Sequence, residues 1–187
     1  MSASGMYTTL GYSLSDGTTS GFSFSNIPVS NYAGLVLVVK MRQQASTFFP
    51  YWAFAFNLDN TSNIYNSGSV FMSGADYGAQ TLGSYNAGDN QIYVIRNPEG
   101  TTSGDPRWAP NSFQYFALFL PNASSSTQFK TGRFTAVASN NISTPYSVTN
   151  VGLTYKSTNP ITNISWGTGG GNLVSGSECI LYGYGPL

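Results

Sequence analysis

Six of the seven carboxylates, Asp59, Asp76, Asp89, Glu99, Asp105 and Glu178, and one thiol, Cys179, are the candidate side chains for catalysis in this sequence. A pair of carboxylates can serve as acid and nucleophile in glycoside hydrolysis. Most of these, however, stand beside Gly, Asn or Pro, where an aspartate supports a turn by bonding the nearby backbone. Histidine is absent, which removes Ser-His-Asp and Cys-His arrangements. With a single cysteine, it also removes most zinc sites. Cys179 falls in an apolar run and reads as a small buried hydrophobe. A calcium site drawn from Asp59, Asp76 or Asp89 would need a ligand spacing that no loop here carries. No Gly-x-x-x-x-Gly-Lys-Ser/Thr occurs, and the glycine run Gly167–Asn172 leads into a strand rather than a helix, so it makes no phosphate cradle. The residues argue against an enzyme, and no catalytic residue, cofactor or metal ligand is assigned.

Charge narrows the partners further. Only 7% of the 187 residues are charged and the net charge is zero, with seven basic residues scattered from Lys40 to Lys156. Nucleic-acid binding needs clustered Lys and Arg to displace counterions, so nucleic acid is excluded. No apolar stretch approaches the ~20 residues of a membrane helix, and the first five residues lack the basic start of a secretory signal. One cysteine allows no internal disulfide. The triplets Asn60-Thr61-Ser62 and Asn163-Ile164-Ser165 match a glycosylation acceptor, which an Asn/Ser-rich chain produces by chance. Low charge with much Ser, Thr, Asn and Gly is compatible with disorder. Thirteen Tyr and twelve Phe argue instead for a folded, β-rich chain.

The elements that would position these residues are strands. Phe22 and Phe24 alternate with Ser23 and Ser25; Leu35, Leu37, Val39 and Met41 alternate with residues that include Lys40 and Arg42; Trp52, Phe54 and Phe56 alternate with Ala53 and Ala55. Such period-two patterns predict strands with one buried face. Val70–Met72 reads as a short strand, 73–90 as a Gly-rich stretch of low regularity, and 91–95 as a clear strand. Residues 97–112 form the longest Pro/Gly-rich loop, of a length usually tied to function. Residues 113–120 are apolar at both parities and predict a strand buried on both faces. Residues 131–139 and 147–156 are two further strands, with Gly152 marking a bulge. In the last stretch, Cys179 and Leu181 point inward, which leaves Glu178 in water, and the strand is expected at the centre of its sheet.

Nine to eleven short strands with no helical period predict an all-β fold, an antiparallel two-sheet β-sandwich. Long end loops and a C-terminal core strand favour a jelly roll over an immunoglobulin-like fold, whose Cys-Trp-Cys signature is absent. Residues 1–20 are set apart as an extended N-terminal arm, and 21–187 as the jelly-roll domain. Aromatic residues exceed what such a core needs, so some belong on contact surfaces. The candidate partner contacts are Tyr7 and Tyr12 of the arm, Arg107 and Trp108 of the long loop, and Tyr115 and Phe119 of the strand after it. Tyr182 and Tyr184 are further candidates for such surfaces. Tyr and Trp beside Asn, Gln and Ser would also suit stacking on sugar rings, so a glycan is a possible ligand.

Three stretches carry a resemblance. The first is Ile161-Thr162-Asn163-Ile164, the Gly-rich run, and Gly176-Ser177 leading to Leu181-Tyr182-Gly183. The second is Phe56-Asn57-Leu58-Asp59-Asn60 with Tyr65, although Ile64 stands where an Asn would precede the Tyr. The third is Pro121-Asn122-Ala123 followed by Lys130. Together they resemble jelly-roll virion proteins of tailed bacteriophages. The resemblance implies a non-enzymatic protein on the particle surface, usually a homotrimer, made in the host cytoplasm. Its first form is a capsid decoration, or cement, protein bridging neighbouring major capsid protein subunits. Its second is a tail or fibre protein that binds host surface glycans.

Overall fold

Alternating apolar and small polar residues favour extended chain, because each strand can then bury one face and leave the other in water. The structure, a computed structural model, describes residues 6–42, 52–59, 65–73, 80–89, 92–95, 113–138, 147–168 and 171–186. Twelve strands lie among them: β1 (Tyr7–Leu14), β2 (Gly21–Phe24), β3 (Tyr32–Met41), β4 (Trp52–Phe56), β5 (Tyr65–Ser73), β6 (Gln80–Asp89), β7 (Ile92–Ile95), β8 (Gln114–Leu120), β9 (Lys130–Ala138), β10 (Ser147–Tyr155), β11 (Ile164–Thr168) and β12 (Glu178–Pro186). A 3-10 turn, Val29–Asn31, precedes β3. No described helix is long and apolar enough to cross a membrane.

The strands form two antiparallel sheets, an eight-stranded one in the order β1-β12-β3-β8-β9-β10-β5-β6 and a four-stranded one in the order β2-β11-β4-β7. Their inner faces pack into one aromatic core. Phe54 and Trp166 of the small sheet meet Phe134 and Phe116 of the large one at ring-centroid separations of 5.6 and 5.1 Å. Phe22 stacks on Trp166 at 5.7 Å. Leu35, Leu37, Val39 and Met41 are wholly buried, as are Cys179 and Leu181, so the inward facing read from sequence holds.

Several expectations are corrected. Strand β8 is buried on one face only: Gln114, Phe116, Leu118 and Leu120 point inward, while Tyr115 and Phe119 are 54% and 40% exposed. No described layer covers that side of the large sheet. Gly152 marks no bulge, since β10 pairs without a shift through Val151, Gly152 and Leu153 with both neighbours. A shift occurs instead in β1, between Thr9 and Gly11. The Gly-rich stretch 73–90 contains the ten-residue β6, held by pairing with β5. Gly167 and Thr168 belong to β11 rather than to a loop. Strand β12 lies second from the edge, between β1 and β3, not at the centre.

Most of the stretch set apart as an arm is tied to its own chain. Tyr7–Leu14 form the edge strand β1 on β12, and Ser15 continues the ladder with its N–H donating to the Ser177 carbonyl at 2.8 Å. The carbonyl of Thr19 accepts from Leu173 at 2.7 Å.

At the end of the sandwich where β4, β8 and β10 finish, four loops are knitted together. The Asn57 side chain donates to the Pro160 carbonyl at 2.9 Å and accepts from the N–H groups of Thr162 and Asn163 at 2.8 and 3.1 Å. Ile161 donates to Ala123, and Ile27 to Thr162, each at 2.9 Å. Asn57 and Leu58 both adopt left-handed backbone, with φ of 54° and 56°. Asn tolerates this conformation; for Leu it costs about 1–2 kcal/mol.

Lys130 is the unexpected residue at this end. Its side chain is completely buried, and its ammonium donates to the carbonyls of Ser125, Gln128 and Ser157 at 2.6, 2.9 and 3.3 Å. Removal from water holds its pKa below the ordinary lysine value. Across the strand pair from it, Tyr155 is buried and donates to Asp59 at 3.1 Å.

Candidate functional site: the outer face of the large sheet

Directly paired residues in an antiparallel ladder share a face, so the register gives the outer surface row by row. One row runs Thr9, Tyr182, Val36, Phe119, Arg133 and Gly152. The next runs Tyr12, Ile180, Val38, Ala117, Thr135 and Asn150. A third contains Leu14, Glu178, Lys40 and Tyr115. Tyr7 and Tyr184 pair at the end opposite to Leu14. Across β1, β12, β3 and β8 the surface is therefore mostly aromatic and aliphatic, giving way to Arg133, Thr135 and Asn150 on β9 and β10.

The patch is contiguous and open. Tyr7, Tyr12, Leu14, Val38, Tyr115 and Phe119 are between 37% and 58% exposed. Tyr182 and Tyr184 are half-buried among them. Phe119 stacks on Tyr184, while Tyr7 stands near both Tyr182 and Tyr184, at 6.3 and 6.2 Å. Burial, then the neighbouring Tyr7, raises the Tyr184 phenol above its ordinary pKa.

Two of the charges on the face, Lys40 and Glu178, pair with each other. The Lys40 ammonium lies 3.3 Å from a Glu178 carboxylate oxygen, whose other oxygen accepts from the Tyr12 hydroxyl at 3.2 Å. Lys40 and Arg42 both stand over the Phe113 ring, at 4.8 and 5.3 Å from its centroid. Beyond Phe119, Asn150 accepts from Arg133 and from Thr135, each at 2.9 Å.

Four of the residues named as partner contacts from the sequence, Tyr7, Tyr12, Tyr115 and Phe119, come together on this face. The other two, Arg107 and Trp108, lie outside the described residues. Leu14 and Val38 were not singled out from the sequence. Val38 carried a usable signal, because 35–39 is apolar at both parities and a strand with one covered face must then expose one set.

The carboxylates do not assemble. Glu178 sits on the outer face, whereas Asp59 lies at the knitted loop end, bonded by Tyr155. Asp76, Glu99 and Asp105 lie outside the described residues, and Asp89 ends β6. Among the described residues, no three His, Cys, Asp or Glu side chains come close enough to hold a metal ion. Burial pushes the Cys179 thiol far above the ordinary range, which leaves it without thiolate character.

What the arrangement can do chemically is pack. It offers apolar surface, ring edges and one ion pair, Lys40–Glu178, with Arg133 at its polar margin. Comparison with known proteins gives no match to a family model, to a curated protein or to a solved structure.

Proposed function

We propose that this protein is a structural component of a tailed-phage particle, a capsid decoration protein that assembles as a homotrimer and bridges neighbouring major capsid subunits. The observation that carries the reading is the aromatic outer face of β1, β12, β3 and β8. Its occupant is a further copy of this chain. Six side chains at roughly half exposure, each worth ~150–250 Å² when fully exposed, offer on the order of 600 Å². With the half-buried Tyr182 and Tyr184 added, that approaches the ~800 Å² per partner of a standard interface. Lys40 and Glu178 neutralise each other and the chain carries no net charge, so copies meet without repulsion.

The placement on a particle rests on the residues that resemble phage virion proteins, above all the C-terminal stretch, and extends to a jelly-roll arrangement of the two sheets. The absence of histidine and the scattering of Asp59 and Glu178 agree with a non-catalytic role. Glycan recognition on host cells is the competing reading. Sugar binding uses free ring faces, and here Phe119 and Tyr184 lay theirs against each other, which favours protein packing.

Deletion tests the reading. Particles assembled without the protein should adsorb to cells normally and lose resistance to heat and osmotic shock. Particles that keep their stability but fail to adsorb would replace the decoration role with a receptor-binding one.

A further inference from the structure

Strand β1 is a free edge of the large sheet: among the described residues it pairs with β12 on one side and with no strand on the other. The outer row of N–H and C=O groups on such a strand is a template for one more strand, and proteins usually guard it with charge, proline or brevity. None of these guards is present on β1. From Met6 to Ser15 no residue is charged and none is proline, and the strand runs for 8 residues.

Its irregularity, the register shift between Thr9 and Gly11, resets the alternation of its side chains. Tyr7 and Thr9 before the shift, and Tyr12 and Leu14 after it, all face outward and are exposed. Leu10 and Gly11 turn to the inner side. Leu10 packs against the core, and a Cβ on Gly11 would stand 2.5 Å from the Phe24 ring. The four outward residues are thus spaced symmetrically about the Leu10–Gly11 peptide. An antiparallel copy of the same strand can therefore match them outward to outward.

We propose that the free edge of β1 binds β1 of a second copy, antiparallel about a two-fold axis at Leu10–Gly11, so that two large sheets become one. On the outer side Tyr7 then faces Leu14 of the second copy, and Thr9 faces Tyr12. On the inner side Thr8 faces Ser13, and Leu10 faces Gly11. Each Leu10 enters the space opposite a glycine, beside a half-buried Phe24 ring. Pairing so covers Leu10 and Phe24, the partly buried apolar side chains that flank the core here, and sets no charge against a like charge. A single ladder of this kind is marginal in dilute solution, so the contact forms where copies stand side by side. It does not depend on the outer face: an edge two-fold joins chains whether or not their outer faces make trimers.

Full-length Thr8→Cys and Ser13→Cys chains test the register. Both positions lie outside the core, and the native Cys179 is buried. Under mild oxidation at a concentration on the order of millimolar, the mixed variants should form disulfide-linked chain pairs at least roughly fivefold faster than either variant alone, because Thr8 lies opposite Ser13 and about 15 Å from the other Thr8. Self-linking of either variant as fast as in the mixture, or no linking beyond wild type, would overturn the proposal. Thr8→Lys with Ser13→Lys sets like charges opposite each other. That variant should lose the rise in sedimenting mass that wild type shows at high concentration and keep the wild-type mass at micromolar concentration. Association that persists in it would also overturn the proposal. Fast linking in the mixture, with wild type a single chain at micromolar concentration, would uphold the edge contact and refute the outer-face trimer alone.

Discussion

Phe119 and Tyr184 stack with ring centroids 5.0 Å apart and planes 14° from parallel, although β3 lies between their strands. The rings meet over Gly34, which pairs directly with Tyr184. A Cβ at Gly34 would stand 2.6 Å from the Tyr184 hydroxyl and crowd the Leu120 carbonyl. A missing side chain in the middle strand thus lets two flanking aromatics close into one surface.

Gly34→Ala should therefore displace Tyr184 from Phe119 and strain β3 against β8. The expected loss of stability is about 1–3 kcal/mol, typical of a methyl forced into a packed site. Urea unfolding measures it. An unchanged midpoint would mean that the ring positions do not depend on this glycine.

Lys130 gives a pH signature. Its folded pKa lies below the ordinary value of about 10.4, so as pH rises towards 10.4 the unfolded chain holds more protons at this site than the folded one. Stability contributed by this site therefore increases with pH in that window. Lys130→Met should cost about 1–3 kcal/mol at neutral pH, since three carbonyls lose their donor. The stability gap between wild type and variant should widen between neutral pH and about pH 10. A gap that narrows would show that burial does not depress this amine.

Cys179 has the opposite sign. Burial raises its folded pKa, so above about pH 8.5 the unfolded thiol loses a proton that the folded one keeps. Its contribution to stability falls as pH rises beyond that value, and Cys179→Ala should remove this component. Labelling of the native thiol should be slow and limited by unfolding. Fast labelling of folded protein would contradict the buried position on β12.

Much of the core was legible because alternation identifies it: Leu35 to Met41 on β3, Phe54 and Phe56 on β4, and Cys179 and Leu181 on β12 are placed as their spacing implies. Strand β6 was not, since Gln80–Asp89 is rich in Gly, Ser and Asn and is extended only through pairing with β5. Residues 113–120 misled because apolar residues at both parities look the same whether the second face meets a core or a partner. Tyr115 and Phe119 could be suspected as contacts, but their assembly with Tyr7 and Tyr12 depends on β1 and β8 flanking β12 and β3. The burial of Lys130 gave no signal, because it is defined by the carbonyls of Ser125, Gln128 and Ser157 that surround the ammonium. The left-handed turn at Leu58 was equally hidden, as leucine is the last residue a turn pattern would suggest there.

The mass of the protein in solution tests most directly whether the outer face joins copies of this chain. Light scattering at micromolar concentration should give three times the 20.0 kDa chain mass for wild type. A variant carrying Tyr12→Ser, Tyr115→Ser and Phe119→Ser should give one chain mass while keeping the secondary structure of wild type, because these side chains lie outside the core. A wild-type mass near 20.0 kDa, or a threefold mass for the variant, would contradict the account.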